Sequence, residues 1–143
     1  MPMLDPSRSI AELLMRDRRY RLDAYSFVFD ALQYAQEVLG MGAEVHSEAS
    51  RSRRDDDHPE RHVTGQNLCE AIRQFALRQY GLMAKMVLES WGVNSTGDFG
   101  EIVFNLIRIG QMKKSPHDRR EDFDDVYDFE TAFRPEFRVT MAE

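Results

Sequence analysis

Residues 64–133, TGQNLCEAIRQFALRQYGLMAKMVLESWGVNSTGDFGEIVFNLIRIGQMKKSPHDRREDFDDVYDFETAF, decide the fold. Apolar side chains recur there at three- and four-residue intervals, and Gly81, Gly92 and Gly110 interrupt the rhythm where helices should stop. Thr64 can cap a helix whose inner face is Leu68, Ala71, Ile72, Phe75, Ala76 and Gln79. A second helix, 82–91, is expected to turn Met83, Met86, Val87 and Trp91 inward and Lys85 and Glu89 outward. Ser95, with Asp98 three residues later, is a capping-box pattern. The helix it opens carries Phe99, Ile102, Val103, Leu106 and Ile107 on a buried stripe, flanked by Phe104 and Ile109. Asp98, Glu101, Asn105 and Arg108 fall on its outer face.

Upstream, Ser9 followed by Glu12 is another capping pattern and predicts a short helix to about Asp17. The basic run RDRRYR at 16–21 reads as a hydrated turn whose arginines pair with acids such as Asp17 and Asp23. Residues 22–39 then predict a long helix with Ala24, Tyr25, Val28, Ala31, Leu32, Ala35, Val38 and Leu39 on one stripe. Phe27, Phe29 and Tyr34 widen that stripe, so the helix should pack on more than one side, and Gly40 and Gly42 end it. Residues 43–63 show no apolar period. The expected organisation is therefore an N-terminal helical pair at 1–42, a mobile charged linker at 43–63, a helical module at 64–134 and a disordered tail at 135–143.

The 143 residues fit one domain with an ordinary core, at 42% hydrophobic and 31% charged. One cysteine, Cys69, precludes an intrachain disulfide, and the chain has no long apolar run or export signal. A soluble cytoplasmic protein without a membrane partner is the expectation. The net charge is −6, and residues 115–143 hold nine acidic against four basic side chains. That balance disfavours duplex nucleic acid, whose affinity comes mainly from Lys and Arg on phosphate.

Chemistry-bearing residues are sparse. His46, His58 and His62 fall in the linker near Asp55–Asp57, but Pro59 lies between the last two histidines. A floppy segment is no preformed cage, so no metal is expected, and no cofactor either. Cys69 sits beside its helix's inner face without a base nearby and reads as a structural thiol. Asp122, Asp124, Asp125 and Asp128 could do acid–base work, yet a polar run of aspartates reads first as solvent-facing. Among them Phe123, Val126, Tyr127 and Phe129 read as core residues holding the tail on the helices.

Helix, turn, helix, tight turn, helix and a return segment is the element order of a winged helix. In that reading residues 111–114 and 123–129 pair as a hairpin; short helical turns are the alternative. The fold class expected is a compact, mainly α, winged-helix-like domain with an N-terminal helical pair. The runs RRYRLDAYSFVFDAL, HVTGQNLCEAIR, FALRQYGLMAKMVLESWGV, STGDFGEIVFNLI and DFDDVYDFETAF also resemble those of a small family of hypothetical proteins best known from Planctomycetes and Verrucomicrobia. The resemblance spans most of residues 17–133. It implies a folded bacterial domain and carries no activity or site residue.

These readings favour a non-enzymatic module that binds another protein, as an adaptor in bacterial transcription or translation machinery. The expected contact residues are Asp98, Glu101, Asn105, Arg108, Lys113, Lys114 and Phe137. A winged-helix nucleic-acid-binding regulator is the alternative, with an enzyme behind it.

Overall fold

The computed structural model describes residues 6–41 and 63–134. Its elements, in chain order, are α1 (Pro6–Arg16), α2 (Leu22–Glu37), α3 (Gly65–Tyr80), a 3-10 turn (Gly81–Met83), α4 (Ala84–Ser90), α5 (Thr96–Arg108), a second 3-10 turn (Arg120–Phe123) and α6 (Phe129–Ala132). The protein is mainly helical, and no strand occurs among the described residues. The hairpin expected at 111–129 is therefore replaced by the alternative, short helical turns and loop. Asp density explains this locally: Asp122 accepts the Arg119 N–H, and Asp125 takes a positive φ of 52°.

Several local signals act as their chemistry requires. Thr64 Oγ1 accepts the Asn67 N–H at 3.1 Å and so caps α3. Asp98 accepts the Ser95 and Asn94 N–H groups at 3.2 and 2.8 Å ahead of α5. Gly40, Gly81, Gly92 and Gly110 all have positive φ at helix ends. One cap is placed differently. α1 begins at Pro6, so Ser9 lies inside the helix rather than at its cap. A proline at the first helical position loses no intrahelical bond, which suits Pro6 to that start.

Residues of the N-terminal pair and of the 64–134 module share one core. Tyr25, Val28 and Ala31 of α2, Ile72 and Ala76 of α3, Leu88 of α4 and Phe99, Ile102 and Leu106 of α5 are all essentially out of solvent. α2 also packs on a second side, as its broad stripe predicts: the Phe27 ring lies 5.1 Å from Phe75 and 5.5 Å from Trp91, centroid to centroid. Gln79, expected inside, is exposed, and Val38 is 61% exposed at the frayed end of α2.

α4 departs most from its sequence reading. The 3-10 turn at 81–83 advances the chain by about 120° per residue instead of about 100°, which rotates everything after it. Ala84 and Leu88 become the buried pair, while Met83 and Met86 are 49% and 58% exposed beside Leu82 at 71%.

The return segment closes the core with single aromatic insertions. Phe123 enters where α3 and α5 both present glycine: a Cβ on Gly100 would lie 2.8 Å from the Phe123 Cβ, and one on Gly65 3.0 Å from its ring. Those helical glycines cost helix propensity and are offset by admitting the ring. Phe129 and Phe133 follow, edge to face at 5.0 Å, and Phe129 lies 5.7 Å from Phe99. Tyr127 reaches the Cys69 carbonyl with its hydroxyl at 2.7 Å. Phe123, Phe129 and Phe133 are buried, so the acidic segment's aromatics serve the core.

Candidate functional site

The outer face of α5, expected to be open for a partner, is instead occupied by the chain itself. The corner between α1 and α2 folds over it. Tyr20 is 2% exposed and donates to Asp98 Oδ1 at 2.5 Å. Burial and the Asp98 carboxylate both push the Tyr20 phenol well above its ordinary range, so it stays a donor. Arg19 grips Asp17 through two nitrogens, at 2.9 and 2.7 Å, and reaches Glu101 at 3.0 Å. Arg120 arrives from the return segment, 2.6 Å from Glu101 and 2.7 Å from Asp124.

Asn105 is the hub of this face, and it is buried rather than exposed. Its amide donates to Asp17 Oδ2 at 3.0 Å and to the Tyr25 hydroxyl at 3.1 Å, and its oxygen accepts from Arg108 at 2.9 Å. Asp98, Glu101 and Asn105 are structural. Arg108 is exposed and leans on Asn105; Lys113 and Lys114 are exposed on the loop after α5. Phe137 lies outside the described residues, as do His46, His58 and His62.

The signal missed in the sequence is Tyr20. The run RDRRYR makes the expected Arg19–Asp17 pair, but its lone aromatic is seated in the core.

Two carboxylates of this network, Asp17 and Glu101, titrate low. Hydrogen bonds from Arg19 and then Asn105 hold Asp17 far below its usual value against the opposing effect of burial. Arg120, then Arg19, lower Glu101 against the same opposition. A carboxylate with a folded pKa below its unfolded one stabilises the fold above the ordinary carboxylate range, and that contribution is lost as pH falls through the folded value. The melting temperature should therefore stay level from pH 8 to 6 and fall below about pH 5. Glu101→Gln should flatten part of that fall. The gain at neutral pH is modest, about 1 kcal/mol or less per pair, because Arg19 and Arg120 are partly in water. Calorimetry across pH 3–8 checks both the direction and the variant.

No group of three or more His, Cys, Asp or Glu side chains placed to hold a metal ion occurs among the described residues. Cys69 is fully buried, and burial, with the nearby Glu70, pushes its thiol up to about 12. Ellman's reagent should label it only in step with unfolding, a rate readable beside circular dichroism. Asp124 pairs with Arg120, Asp122 serves its own turn, and Asp125 and Asp128 face solvent.

Two surfaces remain. One is a groove of about 620 Å³ between α2 and α5, lined by Phe29, Leu32, Leu68, Phe104, Ile107 and Phe123 and by the charged Lys113, Lys114, Arg119, Asp118 and Asp122. From Val103 to Ile107 it follows about 6 Å of α5, roughly one turn, and from Phe29 to Gln36 about 10 Å of α2, roughly two turns. The other is the exposed trio Leu82, Met83 and Met86 at the start of α4. No family model matches the chain, and neither does any curated protein or solved structure. No helix among the described residues is long and apolar enough to cross a membrane.

Proposed function

We propose that the protein is a non-enzymatic module that binds another protein, and that the groove between α2 and α5 receives it. The observation carrying this reading is the groove's make-up: apolar side chains along two turns of α2 and one of α5, bordered by charged side chains of both signs. Grooves of this length and character accept amphipathic helices, whose anchors recur every three or four residues. Apolar surface of this kind is costly to leave in water and marks interaction sites more often than chance. The alternative of a nucleic-acid reader finds less support. The helix that would read bases has Asp98, Glu101 and Asn105 engaged by Tyr20, Arg19, Arg120 and Asp17.

The test is affinity purification with mass spectrometry, comparing wild type with Phe104→Asp and with Leu82→Ser/Met86→Ser. A partner lost on the first variant and kept on the second, with both variants folded by circular dichroism, is the expected result. A partner retained equally by Phe104→Asp overturns the assignment to the groove, and no partner with wild type overturns the reading.

A further inference from the structure

The fold brings Arg108 of α5 to one cleft with Arg16 and Arg18, which the sequence places some ninety positions earlier. Arg16 closes α1, Arg18 stands in the corner, and Arg108 lies in the last turn of α5. All three line one shallow cleft of about 520 Å³ with Asp17 and Asn105. We propose that this cleft recognises a compact dianion, a phosphomonoester group.

The charge balance points to it. The whole chain carries −6, so a local excess of arginine runs against the background. Arg19 also borders the cleft, but its charge is taken up by Asp17 and Glu101. Among the described residues no carboxylate lies within ion-pair distance of Arg16, Arg18 or Arg108. Asp17 faces the cleft too, yet it is held by two Arg19 nitrogens and the Asn105 amide. Three cations therefore meet one neutralised acid.

The negative ends of α1 and α5 would by themselves favour a cation at Arg16 and Arg108. They give no reason for Arg18, which belongs to neither helix, nor for the convergence of all three. Arg108 is also aimed: its nitrogen donates to the oxygen of the buried Asn105, itself fixed by Tyr25 and Asp17. Preorganised guanidinium forks match the oxygens of a phosphate better than ammonium groups do. The site is small, which suits one phosphoryl group. A nucleic-acid backbone would need a longer basic track.

This inference is independent of the groove, which lies on other residues. The test is NMR titration of the full chain with inorganic phosphate, with a phosphoserine hexapeptide, with the same peptide unphosphorylated, and with a twelve-base RNA. Saturable shifts confined to the three arginines are expected with phosphate and with the phosphopeptide. Arg18→Ala should weaken binding at least about tenfold, since Arg–phosphate pairs are charge-assisted and two-pronged. Among the described residues Arg18 makes no ion pair, so the variant's fold should hold, and Arg78→Ala should change nothing. Tighter binding of the phosphopeptide assigns the group to a modified protein, and equal binding assigns it to a free phosphate compound. Equal response to the unphosphorylated peptide, saturation by the RNA alone, or no saturation with phosphate and phosphopeptide at millimolar concentration overturns the proposal.

Discussion

Asn105→Leu is expected to destabilise the protein by about 2–3 kcal/mol and to lower its melting temperature by roughly 6–10 °C. Leucine keeps the γ-branched shape of asparagine and has a better helix propensity, so backbone preference does not oppose it, though its larger side chain adds some overpacking. What it removes is three hydrogen bonds made in a place 4% exposed. The Tyr25 hydroxyl, itself buried, is left without its partner, and Asp17 loses a donor that helps keep it ionised. Unpaired buried polar groups cost more than the bonds themselves contribute when made. Tyr25→Phe removes one end only and should cost about 1 kcal/mol. The double variant should cost less than the sum, with a coupling of about 1 kcal/mol. Thermal melts of the four proteins check this. If Asn105→Leu melts with wild type, the polar face of α5 is not structural, and it returns as a candidate surface for a partner.

That contrast shows how far the sequence reaches. Period and capping are local, and they were legible: Thr64, Asp98 and the glycine stops each act within a few residues of themselves. The buried stripe of α5 was legible for the same reason. Its opposite face was not. A helical period says which side is more apolar; it does not say what else in the chain will cover the polar side. Asn105 looks like any surface asparagine until Asp17 and Tyr25, 88 and 80 positions away, are brought to it. The phase of α4 was lost to a three-residue 3-10 turn, which leaves no composition signature but rotates Met83 and Met86 into water. The arginine cleft is the same lesson in a charged form. RDRRYR is visible in the sequence, but Arg108 joins it only once α5 lies under the corner.

The corner itself depends on one residue without a side chain, and Gly92→Ala should be the most damaging single substitution proposed for this chain. A loss of about 3–4 kcal/mol is expected, or roughly 10–15 °C in melting temperature. Two effects add. Gly92 has φ of +96°, a conformation that costs an L-residue about 1–2 kcal/mol. A Cβ there would also stand 2.1 Å from the Arg19 carbonyl oxygen, well inside contact distance. The carbonyl has nowhere to go. Next to it Tyr20 is buried and bonded to Asp98, and beyond that the Arg21 N–H donates to the Trp91 carbonyl at 3.1 Å. Relief requires the corner to lift away from the turn between α4 and α5, which exposes Tyr20 and parts Arg19 from Glu101. Gly110→Ala supplies the comparison: φ there is +82°, and nothing lies within 4 Å of the added carbon. It should cost only the backbone strain, about 1–2 kcal/mol. The difference between the two variants measures how tightly the α1–α2 corner is seated. Equal losses would mean that the corner does not rest on Gly92, and with it would go the argument that the polar face of α5 is closed to partners.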